Sequence, residues 1–140
     1  MIRTYVEQDI EDLLSIWLNA SIKAHDFVNA EFWLSQLESM RNIYIPASET
    51  YVFEKDAEVV GFYCLYESNL AAIFVTPELQ GQGIGKQLIS HAKKQRTALS
   101  LSVYKENAAS YQFYLAQGFK VVSEQADQHT GHQQYTMATS

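Results

Sequence analysis

Three glycines alternate with other residues in Gln80-Gly81-Gln82-Gly83-Ile84-Gly85-Lys86, straight after an apolar run and straight before a segment with helical spacing. Glycine tolerates positive φ and lets the backbone approach a ligand, so such a loop can turn several N–H donors onto one anion. A helix starting at its end adds unsatisfied amides and the positive end of a dipole. The chemistry this spacing suggests is phosphate binding. A P-loop would need glycine where Gln80 stands and a hydroxyl where Gln87 stands. The dinucleotide fingerprint, counted from Gly81, would need glycine at Lys86. Both spacings fail, and a glycine-rich turn with no ligand stays open on these residues alone.

Other chemistry-bearing residues are few. His129 and His132 lie three apart without a further ligand cluster, so no metal is expected and a polar loop accounts for them. The single cysteine, Cys64, sits in the apolar run 62–66 and reads as core packing in a reducing, cytoplasmic setting. A net charge of -6 argues against nucleic acid as a partner. Six of the ten basic residues nevertheless fall between Lys86 and Lys120, where Glu106 is the only acid. That stretch can face an anion or simply present solvated helix faces.

The elements that must position these residues follow from periodicity. At 140 residues and 47% hydrophobic, the chain suits one domain, with no export signal and no apolar run long enough to span a bilayer. Residues 2–6 read as a strand. Ile10, Leu13, Leu14, Trp17, Leu18 and Ser21 then mark an amphipathic helix. Asn29 is a suitable N-cap for a second helix in which Trp33, Leu37, Met40 and Tyr44 share a face, with Pro46 as its stop. Residues 50–55 and 59–67 form a hairpin, and 70–75, apolar throughout, form a strand covered on both faces. A helix, a strand (98–103), a helix (108–117) and two strands (119–124, 133–138) complete the order βααβββαβαββ. The expected class is α/β (α+β), one mostly antiparallel sheet flanked by helices.

Two blocks, at the spacing that one intervening strand requires, carry a resemblance. The segment from Ile73 to Gly85 resembles the acetyl-CoA-binding motif of the GNAT superfamily, Gln/Arg-x-x-Gly-x-Gly/Ala, with Gln80, Gly83 and Gly85 at the fixed positions. The segment from Asn107 to Phe119 resembles the superfamily's Asn-x-x-Ala-x-x-Phe-Tyr-x-x-x-Gly-Phe block. The run Ala24-His25-Asp26-Phe27, followed by Phe32-Trp33, is similar to a small bacterial branch of these acetyltransferases.

The resemblance implies an N-acetyltransferase moving an acetyl group from acetyl-CoA to a primary amine by direct attack. The acceptor would be a protein lysine, an N-terminus or a small amine, and the enzyme a monomer or homodimer. It implies that the amides of Gly81, Gln82, Gly83, Ile84, Gly85 and Lys86 hold the CoA pyrophosphate. The backbone of Ile73, Phe74 and Val75 would pair with the pantetheine arm, and Asn107 would hydrogen-bond nearby cofactor groups. Tyr114 matches the general acid that protonates the departing thiolate. Many relatives carry glutamate where Ser102 stands here, and serine is no base near neutral pH. His25 and Glu67 are the remaining candidates for that role. The missing carboxylate also motivates an alternative, a non-catalytic acyl-CoA sensor.

Overall fold

The computed structural model describes residues 1–139. Its first strand, β1 (Ile2–Thr4), is tied to the first helix by a fork. Arg3 Nη1 donates to Asp9 Oδ2 at 2.9 Å and Nη2 donates to Oδ1 at 3.0 Å. Asp9 also accepts the Val6 N–H at 2.9 Å, so a buried carboxylate is charge-paired and hydrogen-bonded at the entrance to α1 (Ile10–Ala24). Leu13, Leu14 and Trp17 are buried on one face of α1, as their spacing predicts, with Ile16, Ala20 and Ser21 beside them.

Asn29 caps the next helix, α2 (Ala30–Ser35), by accepting the Glu31 N–H at 2.8 Å. The single helix expected from there to Pro46 is instead broken. A short turn α3 (Leu37–Ser39) leads into a π turn over Met40–Tyr44 and a last turn α4 (Ile45–Ala47). The Ile45 N–H bonds to the Met40 carbonyl, five residues back. A widened turn places residue i+5 where i+4 would have been, so Ile45 is 1% exposed while Tyr44, expected on the inner face, is 53% exposed. Pro46 lies inside the final turn rather than stopping the helix before it. Its missing N–H falls where the i→i−4 ladder is already interrupted.

Strands β2 (Glu49–Lys55) and β3 (Glu58–Tyr66) form the expected hairpin through Asp56 and Ala57, whose φ values are 52° and 65°. β3 is buried on both faces. Phe62 and Cys64 pack with α1, while Tyr63 and Leu65 pack with α5 (Ile84–Gln95). Cys64 is a packing residue: it accepts the Thr50 hydroxyl at 3.4 Å, and burial pushes its thiol up to about 11.

The remaining elements are β4 (Asn69–Val75), β5 (Ser100–Tyr104), α6 (Ala108–Ala116), β6 (Lys120–Ala126) and β7 (Gln133–Ala138). Among the described residues seven strands run in the order β1-β2-β3-β4-β5-β7-β6, antiparallel except for β4 and β5. The mixed, mostly antiparallel α/β architecture matches the expected class, with the second helix in pieces. β4 is not covered on both faces: Ala71 is exposed and Ala72, Ile73 and Phe74 are half-buried. The reason is topological. β4 and β5 share one paired position, Asn69 opposite Ser100, and then part. Among the described residues no helix is long and apolar enough to cross a membrane.

Candidate active site

Where β4 leaves β5 the sheet opens into a cleft of about 1020 Å³. Its floor and sides come from Leu70–Val75 of β4, Leu101–Tyr104 of β5, the start of α5 and the inner face of α6. The end of α1, through Asp26, and Trp33 of α2 close it from above. A split between parallel strands is where α/β sheets ordinarily admit ligands.

The glycine loop lies at the far end of β4. Gln80 Nε2 donates to the Val75 carbonyl at 3.1 Å, fixing the loop's entrance to the strand. Gly81 and Gly83 have φ of 82° and 87°, values that a side chain would strain. A Cβ at either would meet nothing within 4 Å, so the surface in front of them is open. Gly83 sits at the N-cap of α5, its carbonyl accepting the Gln87 N–H at 3.1 Å. Among the described residues the N–H groups from Gly81 to Lys86 have no backbone partner. Gly81, Gly83, Gly85 and Lys86 line the cleft, whereas Ile84 is buried in the core and Gln82 is exposed off the cleft wall. Gly85 serves packing. A Cβ there would lie 3.3 Å from Phe113 Cζ, so its absence lets α5 and α6 close on each other.

On the opposite wall Asn107 caps α6, its Oδ1 accepting the Ser110 N–H at 3.3 Å. That fixes the amide's orientation and aims Nδ2 at His25 Nε2, 3.2 Å away. An amide nitrogen only donates, so Nε2 accepts and the ring hydrogen sits on Nδ1, which is buried without a partner. His25 is packed against Trp33, Tyr104 and Phe27 at centroid distances of 5.2, 5.1 and 5.8 Å. Desolvation lowers its pKa to about 4. The imidazole is therefore neutral at pH 7 with its lone pair already engaged. The Asn107 side chain is likewise committed to Ser110 and His25.

Tyr114 also lines the cleft, half-buried between Phe113 and Phe119 at 5.5 and 5.9 Å. Burial pushes its phenol pKa up, so it keeps a proton at neutral pH, and among the described residues its hydroxyl has no protein partner. The end of α6 holds it in place. Gly118, at φ 94°, lets the Gly118 N–H reach the Leu115 carbonyl and the Phe119 N–H reach the Tyr114 carbonyl.

The two expected base candidates are separated by the structure. Glu67 occupies the exposed β3–β4 turn at φ 55°, its carbonyl accepting Arg96 Nε at 2.7 Å, and is not on the cleft wall. Ser102 is on that wall. Sequence reasoning missed two carboxylates that share it, Asp26 and Glu106. Glu106 Oε1 accepts from His132 Nδ1 at 3.0 Å, and the His132 ring packs on Phe27 at 5.0 Å. The signal for Glu106 was present: it is the single acid in the basic stretch and directly precedes Asn107. Among the described residues, no group of three or more His, Cys, Asp or Glu could hold a metal ion.

Comparison with known proteins assigns this geometry. The profile of the acetyltransferase (GNAT) domain matches residues 46–121. The chain is 33% identical over 123 residues to the peptidyl-lysine N-acetyltransferase YiaC of Escherichia coli, covering 87% of this chain and 84% of that protein. The solution structure of apo YjaB from Escherichia coli superposes with a TM-score of 0.87 at 27% identity, covering 99% of this chain and 95% of that one. The PaiA N-acetyltransferase of Thermoplasma acidophilum, solved in complex with coenzyme A, shares the fold with a TM-score of 0.81 at 21% identity, covering 99% and 97%. With the glycine loop, the split sheet and the α6 block all in place, the chain belongs to the GNAT acetyltransferase family.

Proposed function

We propose that this protein transfers the acetyl group of acetyl-CoA to the side-chain amine of a lysine, by direct attack in a ternary complex. One arrangement carries the reading: along Gly81 to Lys86 the amides have no backbone partner, and Gly81, Gly83, Gly85 and Lys86 line the same cleft as Tyr114. Membership of the GNAT family makes the activity an N-acetyl transfer with acetyl-CoA as donor.

The residues present fit that donor. The free amides and the start of α5 suit a pyrophosphate, and Lys86 and Lys23 on the cleft wall add positive charge. Past Asn69, β4 has no strand partner on the cleft side, so the backbone of Ile73, Phe74 and Val75 can pair with an extended, amide-bearing arm as an added strand would. Acetyl-CoA bound there supplies an activated thioester. Tyr114 holds a proton on the cleft wall, in a desolvated setting that keeps it on oxygen at neutral pH. A cysteine-like thiol has a pKa of about 8.5, so a thiolate leaving into this apolar surrounding gains from that proton. The lysine acceptor rests on the names of the relatives, peptidyl-lysine N-acetyltransferases, and on the two carboxylates that a cationic side chain would meet.

The test is an assay of free CoA release with acetyl-CoA across lysine peptides, N-terminal peptides and small amines, with product masses measured. Acetyl-lysine product with a mass gain of one acetyl group supports the reading. Product confined to N-termini or small amines would move the acceptor, and CoA binding without any acylated product would restore the sensor alternative.

A further inference from the structure

Resting on the transfer reading above, we infer that Glu106, oriented by His132, is the group that takes the proton from the acceptor amine, in the role that Ser102 cannot fill. The cleft offers few other takers. Ser102 is a hydroxyl on the β5 wall. Glu67 lies in the exposed β3–β4 turn, off the wall. His25 Nε2 already accepts from Asn107 Nδ2 at 3.2 Å, and Nδ1 carries the hydrogen. Of the carboxylates, Asp26 and Glu106 reach the cleft.

Glu106 has what Asp26 lacks, a fixed orientation. It leaves β5 through Tyr104 and Lys105 and is followed by Asn107, whose N–H bonds the Tyr104 carbonyl at 3.0 Å and whose side chain starts α6. His132 reaches across from the β6–β7 loop and donates to Oε1 at 3.0 Å, braced by Phe27 at 5.0 Å. A carboxylate held on one oxygen keeps the other free. The Glu106 side chain is 52% exposed, so a proton it accepts passes readily to water. Tyr114 stands on the following helix, on the same wall, so acid and base flank one cleft from adjoining elements. Lys23, His25, Asp26, Lys86 and Tyr104 are the other titratable groups on the cleft wall.

The step balances. The carboxylate takes one N–H proton from the ammonium, the bonding pair stays on nitrogen, and the proton moves on to solvent. That lone pair forms the C–N bond to the acetyl carbon, and the C–S bond breaks as sulfur leaves with the Tyr114 proton. The second nitrogen proton passes to Glu106 and from it through solvent to Tyr114, replacing the one given to sulfur, so that Glu106 is again ionised and the products are amide, thiol and one released proton.

The experiment compares wild type, Glu106→Gln, Glu106→Asp, His132→Gln and Asp26→Asn in full pH–rate profiles, with coenzyme A affinity measured calorimetrically and folding by thermal melt. The expected result for Glu106→Gln is a kcat lower by about 100-fold or more with coenzyme A affinity unchanged, the size usual for a lost general base. Glu106→Asp should recover part of that rate. His132→Gln should fall between wild type and Glu106→Gln. A folded Glu106→Gln that keeps wild-type kcat overturns the inference, as does one raising only the amine KM, or a loss confined to Asp26→Asn. If wild type itself acetylates no amine, the transfer reading has failed and not this assignment within it.

Discussion

Asn107 Nδ2 donates to His25 Nε2 across 3.2 Å, joining the N-cap of α6 to the residue that follows α1. The same amide caps α6 through the Ser110 N–H, so one side chain both starts a helix and sets the tautomer of a histidine. Asn107→Ala removes the cap and leaves the imidazole acceptor unpaired, and should cost about 1–3 kcal/mol of stability by denaturant titration. Asn107→Asp keeps the cap but replaces a donor with an acceptor. His25 Nε2 must then carry hydrogen, and its pKa should rise from about 4 by a unit or more, read by NMR titration of the ring.

Stability should depend on pH through the same histidine. Its folded pKa is lowered from 6.5 to about 4 by burial, so the unfolded chain binds a proton more readily. The stabilising contribution is complete above pH 6.5 and is lost as pH falls from there toward 4, by on the order of 2–3 kcal/mol. Asp9 acts in a lower window: Arg3 holds its pKa below 3.8, so its contribution persists until the pH drops past that value. Urea melts between pH 7 and 4 should slope for wild type and flatten for His25→Phe.

Tyr114→Phe removes one hydroxyl from the cleft wall and leaves the ring contacts with Phe113 and Phe119. If the hydroxyl supplies the thiol proton, kcat should fall about 100-fold or more while coenzyme A affinity changes little. Substrates with low-pKa thiol leaving groups should suffer less. Steady-state kinetics with calorimetry separates the two effects.

The three loop glycines should answer differently to alanine. At Gly83, φ of 87° makes alanine strained although space is free, and a loss of about 1–2 kcal/mol is expected, with weaker coenzyme A binding as the amides turn. Gly81→Ala should behave likewise. Gly85→Ala meets no such strain but presses on Phe113, 3.3 Å from the new Cβ, so its effect should disappear in a Phe113→Leu background. A double-mutant cycle on melting temperature checks this.

Ala57 is a place where the chain stores strain. It occupies the second turn position of the β2–β3 hairpin at φ 65°, next to Asp56 at 52°, in the pattern that favours Asp-Gly. Ala57→Gly should stabilise the protein by roughly 1 kcal/mol, read as a higher urea midpoint with the same slope.

Most of this architecture could be read from residue types because local signals agreed with global packing. The α1 face, the Asn29 cap, the hairpin and the glycine loop all stand where spacing put them. The departures are those that only tertiary context decides. Nothing in the string from Trp33 to Pro46 announces a π turn, which exchanged Ile45 for Tyr44 in the core. The apolar run of β4 looked like a strand covered on both faces because its composition does not say that β5 turns away after Asn69. At the site, the loop and Tyr114 were legible because their spacing is local. The engagement of His25 by Asn107, 82 residues away, and the approach of His132 to Glu106, 26 residues away, depend on chain crossings that periodicity does not encode.

The single rung joining β4 to β5 gives this sheet four edges instead of two. The outer pair is defended in ordinary ways: β1 is only three residues long, and β6 carries Lys120 and Glu124 with a register shift between Val121 and Ser123. The inner pair is defended by access. Lys23 and Asp26 at the end of α1 and Asn107 to Ser110 at the start of α6 stand over it, so a neighbour's broad strand, with side chains on both faces, meets a wall. A thread of bare amide and methylene fits between them. The gap thus acts as a sieve on width, keeping an unpaired backbone available to a slender ligand without offering it to other chains as a seed for aggregation.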